Sequence, residues 1–534
     1  MFSGRNDDER TAMSDDAVRD EDVLIVGAGP TGLTLAIELA RRGAGVRIVD
    51  AAPAPHRESR GKGLQPRTLE VLEDVGVTER ALATGTTRLP FRKYFDGAQV
   101  KDTDPFADAR PTPDAPYERG VLIGQWQVEE LLRERLAEFG VRVEGGTEVT
   151  GFEQDEDGVT AVLADGQCVR AGHLVGCDGG RSRVRKAMGV RFDGTTDATQ
   201  SMVVGDVEAE GISRDVWHQW FASDGNGVML CPMPGTNSFQ FQAGPELDAG
   251  GAPLPPSLEG FQRIFDRYAQ VPGITLTDPT WLSLWRVNVR MVDRMRVGRV
   301  FLAGDAAHIH PIAGGLGMNT GIQDAYNLGW KLALAAAGQA GPGLLDTYEE
   351  ERLPVAAWTL GITSDLYARV REAVKEPGTG VEAAAPPPMG TGYRWSSLAA
   401  PATIGDPAVL RPGDRAPDAP CLDASGNPVR LFQVYADPRF TLLGFGTELA
   451  DAVGKLAVEH ADLLQAFTVD GDGDGADLHD HEGHARRAYG IEAAPAPDPT
   501  LVLVRPDNHI ALLTRDPAEI ANYLSQITAF TPKE

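Results

Sequence analysis

Three glycines, three aspartates and two histidines carry most of the chemical promise of this chain. Gly27, Gly29 and Gly32 stand at G-x-G-x-x-G spacing. The first permits a tight turn, the second leaves the backbone open to a pyrophosphate, and the third lets a helix pack closely on a strand. Pro30 and Thr31 fill the positions between, where a helix would begin and offer unpaired N–H groups and its positive dipole end. Asp50 lies near the spacing at which a carboxylate holds a ribose hydroxyl pair, so the set describes a dinucleotide site that suits FAD or NAD. Further on, Asp178-Gly179 precedes Arg181, Arg183 and Arg185, and Gly304-Asp305 precedes His308, His310 and a glycine-rich loop over 311–317. The histidines could move protons, but the sequence names no partner for them and structural roles in the loop weigh more.

The elements that must hold these groups follow from periodicity. Val23-Leu24-Ile25-Val26 reads as a buried strand, 33–42 as an amphipathic helix and 45–50 as a second strand, giving strand, turn, helix, strand around the glycines. Residues 300–303 form a strand ending at Gly304-Asp305, and a helix starts near Asn319 with its N–H groups directed at the glycine-rich loop. Between the second and third motifs the pattern changes to short aromatic strands. There Phe239 and Phe241 share one face and Gln240 and Gln242 the other, so one face meets a core or an apolar ligand. Residues 376–401, with Pro386-Pro387-Pro388, read as a linker, and 411–534 carries a strand and helix pattern of its own.

Composition narrows the class. A chain of 534 residues exceeds one ordinary core, and a net charge of −27 argues against phosphate-backbone partners, so no nucleic acid is expected. Residues 1–20 are polar and lack an apolar stretch, reading as a disordered tail and not a signal peptide. No apolar run is long enough to cross a bilayer, and a soluble cytoplasmic protein is expected. The 4 cysteines lie far apart without C-x-x-C spacing, which suggests neither a disulfide framework nor a zinc site. Asp470-x-Asp472-x-Asp474-Gly475 begins like a calcium loop, but His481 stands where the closing glutamate belongs, so no metal is expected.

Taken together, Gly27-Ala28-Gly29-Pro30-Thr31-Gly32, Cys177-Asp178-Gly179-Gly180-Arg181-Ser182 and Gly304-Asp305-Ala306-Ala307-His308-Ile309-His310-Pro311 resemble, in kind and order, the class A flavoprotein monooxygenases, the single-component aromatic hydroxylases. The resemblance spans roughly residues 21–370 and is nearest to hydroxylases of bacterial aromatic polyketides, which append a thioredoxin-like domain. It implies an α/β fold in three parts: a Rossmann-like FAD-binding domain of the para-hydroxybenzoate hydroxylase type over 21–194 and 286–400, an inserted β-sheet substrate domain over 195–285, and a thioredoxin-like domain over 401–534. The last lacks C-x-x-C, which points to packing or dimerisation in place of thiol chemistry; a homodimer is one assembly this allows.

Carried onto this chain, the resemblance implies FAD pyrophosphate on Gly27, Gly29, Pro30, Thr31 and Gly32 and the adenosine ribose on Asp50. Arg60, Gln125, Asp178 and Asp305 would contact the cofactor along its length, and the main-chain N–H groups of Leu316, Gly317, Met318 and Asn319 would meet the isoalloxazine carbonyls. NAD(P)H would act as a transient cosubstrate and O2 as oxidant, with one oxygen atom passed from a flavin C4a-hydroperoxide to an electron-rich polycyclic ring. Pro311 would lie between flavin and substrate, and Trp220, Phe239, Phe241 and Trp285 would line the substrate pocket. Baeyer–Villiger oxygenation of a polyketide and a single-ring phenol hydroxylase remain alternatives, with an NAD-linked dehydrogenase or a non-catalytic FAD-binding protein behind them.

Overall fold

The structure, a computed structural model, describes residues 21–528 apart from 312, 385–391, 402–403, 405–409, 472–474 and 492–498. The expected tail over 1–20, the whole triple proline of the linker and two aspartates of the acidic loop lie outside the described residues.

Strand β1 (Glu21–Val26) runs into helix α1 (Pro30–Ala40) and returns as β2 (Val46–Asp50). β1 pairs in parallel with β2 on one side and with β3 (Cys168–Gly176) on the other, and β3 pairs in parallel with the short strand Val300–Leu302. The ends of β1 and β3 and the strand Val300–Leu302 therefore deliver all three motifs to the same edge of one sheet, as a doubly wound fold requires. Val23, Leu24, Ile25, Leu174, Val175 and Phe301 are fully buried at its centre.

A second sheet is antiparallel over most of its width. It is built from β4 (Phe192–Ala209), β5 (Trp217–Phe221), β6 (Gly227–Pro232), β7 (Ser238–Ala243) and, beyond helix α2 (Leu258–Ala269), the long β8 (Leu276–Val292). It reaches past the 195–285 expected for it. β4 and β8 both overrun those limits, and the hairpin Phe91–Phe95 with Ala98–Thr103 joins beyond β5. That hairpin turns on Asp96-Gly97, both at positive φ (47° and 80°), the geometry that an Asp-Gly pair favours between strands.

Helix α3 (Gly317–Ala336) crosses behind α1 and is buried on nearly every side, and α4 (Thr347–Ala373) runs beside it. A third sheet of seven strands occupies the C-terminal part, with Phe440–Phe445 at its middle between Leu464–Asp470 and Thr500–Val504. One of its faces packs on residues of its own segment, while the other takes in Trp330 and Leu344 from the α3 region. Among the described residues no helix is long and apolar enough to cross a membrane.

Candidate functional site

The three motifs meet through contacts that admit no side chain. A Cβ on Gly27, which sits at φ +107°, would lie 2.4 Å from the Cys177 carbonyl oxygen, and one on Gly32 would lie 2.0 Å from the Gly27 carbonyl oxygen. Thr31 Oγ1 fills the space where a Cβ on Gly304 or Gly321 would fall, at 2.6 and 2.4 Å. Gly29 is the exception, since nothing lies within 4 Å of its missing Cβ, which faces open space at the N-terminus of α1. Gly27 and Gly32 are thus packing glycines, and Gly29 is the one that leaves room for a ligand.

That room is one cavity of about 1820 Å³ between the first two sheets, well above the 300–1,000 Å³ usual for a single small ligand. Its lining includes Gly27, Gly29, Pro30, Thr31 and Asp50 of the first motif region, Arg60, Gln125, Asp178 and Asp305, and Leu316, Gly317, Met318, Pro311 and Trp285; Gly32 is not part of it. Asp50 accepts hydrogen bonds from the N–H groups of Ala28 (2.7 Å) and Ala52 (2.8 Å), which fixes its carboxylate at the rim of the glycine turn. Arg60 pairs with Glu58 at 2.5 Å and Gln125 donates to Glu129 at 3.0 Å. Asp178 Oδ2 caps the helix Arg183–Met188 through the N–H groups of Arg183 and Val184, while its Oδ1 is buried without a partner among the described residues. Asp305 is exposed to the cavity it lines, and the low-dielectric protein around it still lifts its carboxyl above the usual carboxylate range against the pull of His308 and Arg60.

The loop before α3 bends through Gly314 and Gly315 at φ +75° and +62°. The first bond of α3, Thr320 N–H to Leu316 O at 2.8 Å, leaves the N–H groups of Gly317, Met318 and Asn319 without helical acceptors. The Asn319 side chain is spent on structure: it accepts from Gln65 N–H at 2.7 Å and donates to Gly63 O and Gly315 O, and the residue is fully buried behind the cavity wall that Leu316, Gly317 and Met318 form, so it is not among the lining residues as expected.

The histidines find the partners that sequence did not show. His308 Nε2 meets Asp324 Oδ2 at 2.6 Å, and Asp324 also accepts from Gly304 N–H (3.0 Å) and Arg352 Nε (2.7 Å), all of them buried. Burial pushes Asp324 upward most strongly, but Arg352 and His308 outweigh it and hold the acid at about 2. His310 lines the cavity beside Gly317 with its Nε2 unpaired among the described residues, and burial, reinforced by His308, lowers it to about 4 and keeps it neutral.

Three of the expected pocket residues are not in the pocket. Phe239 and Phe241 do share a face, but that face turns away from the cavity onto α2, with Phe241 stacked 4.2 Å from Phe261. Trp220 is likewise buried in that core, between Tyr94, His218 and Phe265. The opposite face of the sheet forms the cavity floor, where Trp217, Trp281 and Trp285 stand with Met202, Met229 and Gln242. In the alternating run it is the glutamines, not the phenylalanines, that mark that face.

These residues suit FAD. An open cradle at Gly29, a fixed carboxylate at the ribose position, an orphaned Asp178 oxygen and the free N–H groups of α3 provide for an adenosine diphosphate and an electron-poor ring system in one continuous channel.

Comparison with known proteins agrees. A family model described as FAD binding domain matches residues 20–361. A flavin-dependent monooxygenase of Mycobacteroides abscessus is 41% identical over 95% of this chain and 99% of its own length. The 6-methylpretetramide 4-monooxygenase of Streptomyces rimosus is 36% identical over 92% of this chain and 90% of its own. Among solved structures, aklavinone-11 hydroxylase in a ternary complex with FAD and aklavinone is 30% identical and matches with a TM-score of 0.80, over 97% of this chain and 100% of that one. Matches of that extent run the whole way from the glycine cradle through the third sheet, and the chain belongs to the FAD-binding family of flavin-dependent monooxygenases.

Proposed function

We propose that this enzyme uses NAD(P)H and O2 to hydroxylate a polycyclic aromatic compound of polyketide type. The observation that carries the reading is continuity: one cavity is lined both by the glycine cradle and by a floor of three tryptophans, and Pro311 lines it too. Aromatic and methionine walls favour a broad planar ring system, which buries more surface there than one phenol ring would. The Streptomyces relative and the ternary complex are named for multi-ring substrates of this kind, which supports the same choice.

When bound, FAD supplies the redox chemistry, taking a hydride from reduced nicotinamide and delivering the electrons to O2. The chain's own part is binding, charge control and exclusion of water. The N-terminus of α3 favours negative charge on the ring edge laid against it. His310, neutral at working pH, adds no competing positive charge. Trp281 is fixed by donating from Nε1 to Asp206 Oδ2 at 2.8 Å and helps to keep the floor dry. Residues Asp178, Asp305 and Arg60 are assigned here to cofactor contact.

The test is NAD(P)H oxidation by the FAD-loaded enzyme over a panel of tri- and tetracyclic phenols and hydroxybenzoates under labelled O2. Tight coupling with a polycycle, and one labelled oxygen atom in the product, is the expected result. Tight coupling with hydroxybenzoates alone would overturn the substrate class.

A further inference from the structure

The floor contains an amide pair whose orientation the backbone dictates. In one row across four strands stand Ser283, Val204, Gln242 and Met229; in the next stand Trp281, Asp206, Gln240 and Cys231. Gln240 is fully buried and Gln242 is 5% exposed. Ser59 O can only accept, so Gln240 must turn its Nε2 toward it, and the two are in hydrogen-bond contact. Gln240 is then left with Oε1 toward its neighbour, and Gln242 Nε2 donates to it at 3.0 Å. A flip of Gln242 would set two carbonyl oxygens against each other. Ser59 cannot yield either, because its N–H is held by Asp206 Oδ2 at 3.0 Å. The chain of donors ends with Gln242 Oε1, which has no partner among the described residues on a side chain that lines the cavity.

We propose that Gln242 is a specificity-determining residue: its Oε1, pinned through Gln240 and Ser59, accepts a hydrogen bond from a free hydroxyl of the aromatic substrate and so selects a phenol over an ether or ring carbonyl at that position. The assignment rests on the reading above that the floor holds an aromatic ring system. An ether oxygen or carbonyl placed there brings no proton, and leaves the amide oxygen both desolvated and opposed to another acceptor. Gln240 is a positioning residue, acting on the substrate only through Gln242.

Dissociation constants of the FAD-loaded, full-length enzyme for 2-hydroxyanthraquinone and its methyl ether, read from the perturbation of flavin absorbance, provide the test. The wild-type enzyme is expected to bind the phenol roughly tenfold or more tightly than the ether. In Gln242→Leu the two affinities should come within about twofold, through loss of phenol binding with little change for the ether. Gln240→Leu keeps Gln242 but frees its amide to rotate, and should lose most of the preference too; it decides the matter if Gln242→Leu does not fold. Equal affinities in the wild type, or a preference that survives both substitutions, would overturn the role of Gln242 while leaving the aromatic floor in place. Binding of neither compound would overturn both.

Discussion

His310 illustrates how a buried side chain writes itself into the pH dependence of the whole molecule. Its ordinary value is 6.5 and the folded value is about 4, so the unfolded chain binds the proton more readily than the folded one. The contribution is complete above about pH 6.5 and is lost as pH falls toward 4, by up to about 3 kcal/mol. Chemical denaturation across that window should show a steeper loss for the wild type than for His310→Gln, whose amide does not titrate; parallel curves would show that the imidazole is not held neutral. Asp324 is the companion case of a group outside the cavity that shapes it. By accepting from Gly304 N–H, His308 and Arg352 together, it fixes the turn on which Asp305 stands. Its role was not legible from sequence, since an aspartate two turns into a helix reads as solvent-facing until the helix is known to be buried all round. A charged residue in such a helix needs partners, and Arg352 lies on a separate element.

At the level of elements, the glycine turn separates two roles that one motif confounds. A Cβ at position 29 enters empty cavity, whereas one at position 32 would lie 2.0 Å from a carbonyl oxygen. Gly29→Ala should therefore keep its urea midpoint but lose flavin content. Gly32→Ala should lose about 1–3 kcal/mol of stability, from the displacement of α1 against β1. Equal effects on both properties in both variants would refute the division. The cofactor end was legible in the sequence because its rules are local: glycine spacing, a strand-end acid and a helix start each lie within a few residues. The substrate floor was not, because a period of two yields two faces and only long-range packing decides which one α2 covers. Phe239 and Phe241 went to that helix, and Gln242 to the cavity with Gln240 buried beside it. The hairpin at Asp96-Gly97 was readable from its turn residues, but its place in a sheet whose other strands begin about a hundred residues later was not.

Across the whole molecule, the third sheet is joined to the cofactor-binding part by charges withdrawn from water. Glu351 of α4 meets Arg505 at 2.6 Å and Lys331 of α3 at 2.7 Å, and Arg505 pairs in turn with Asp507, with all four side chains essentially inaccessible. Burial lowers Lys331 to about 8 in spite of Glu351, while Arg505 and Lys331 hold Glu351 well below the carboxylate range against the upward push of burial. Glu351→Gln removes the shared anion and leaves two buried cations short of charge, so it should cost about 3–5 kcal/mol in denaturant unfolding. A loss below about 1 kcal/mol would mean that the joint is wet or dispensable. This joint also sets a timetable for synthesis. Glu351 and Arg505 are 154 residues apart, which at about 5–20 residues per second amounts to roughly eight to thirty seconds of translation. For that interval the Glu351 carboxylate has Lys331 but no guanidinium to meet. The nascent chain therefore cannot complete this buried joint until Arg505 has emerged, and the docking of the two long helices onto the third sheet waits for that residue.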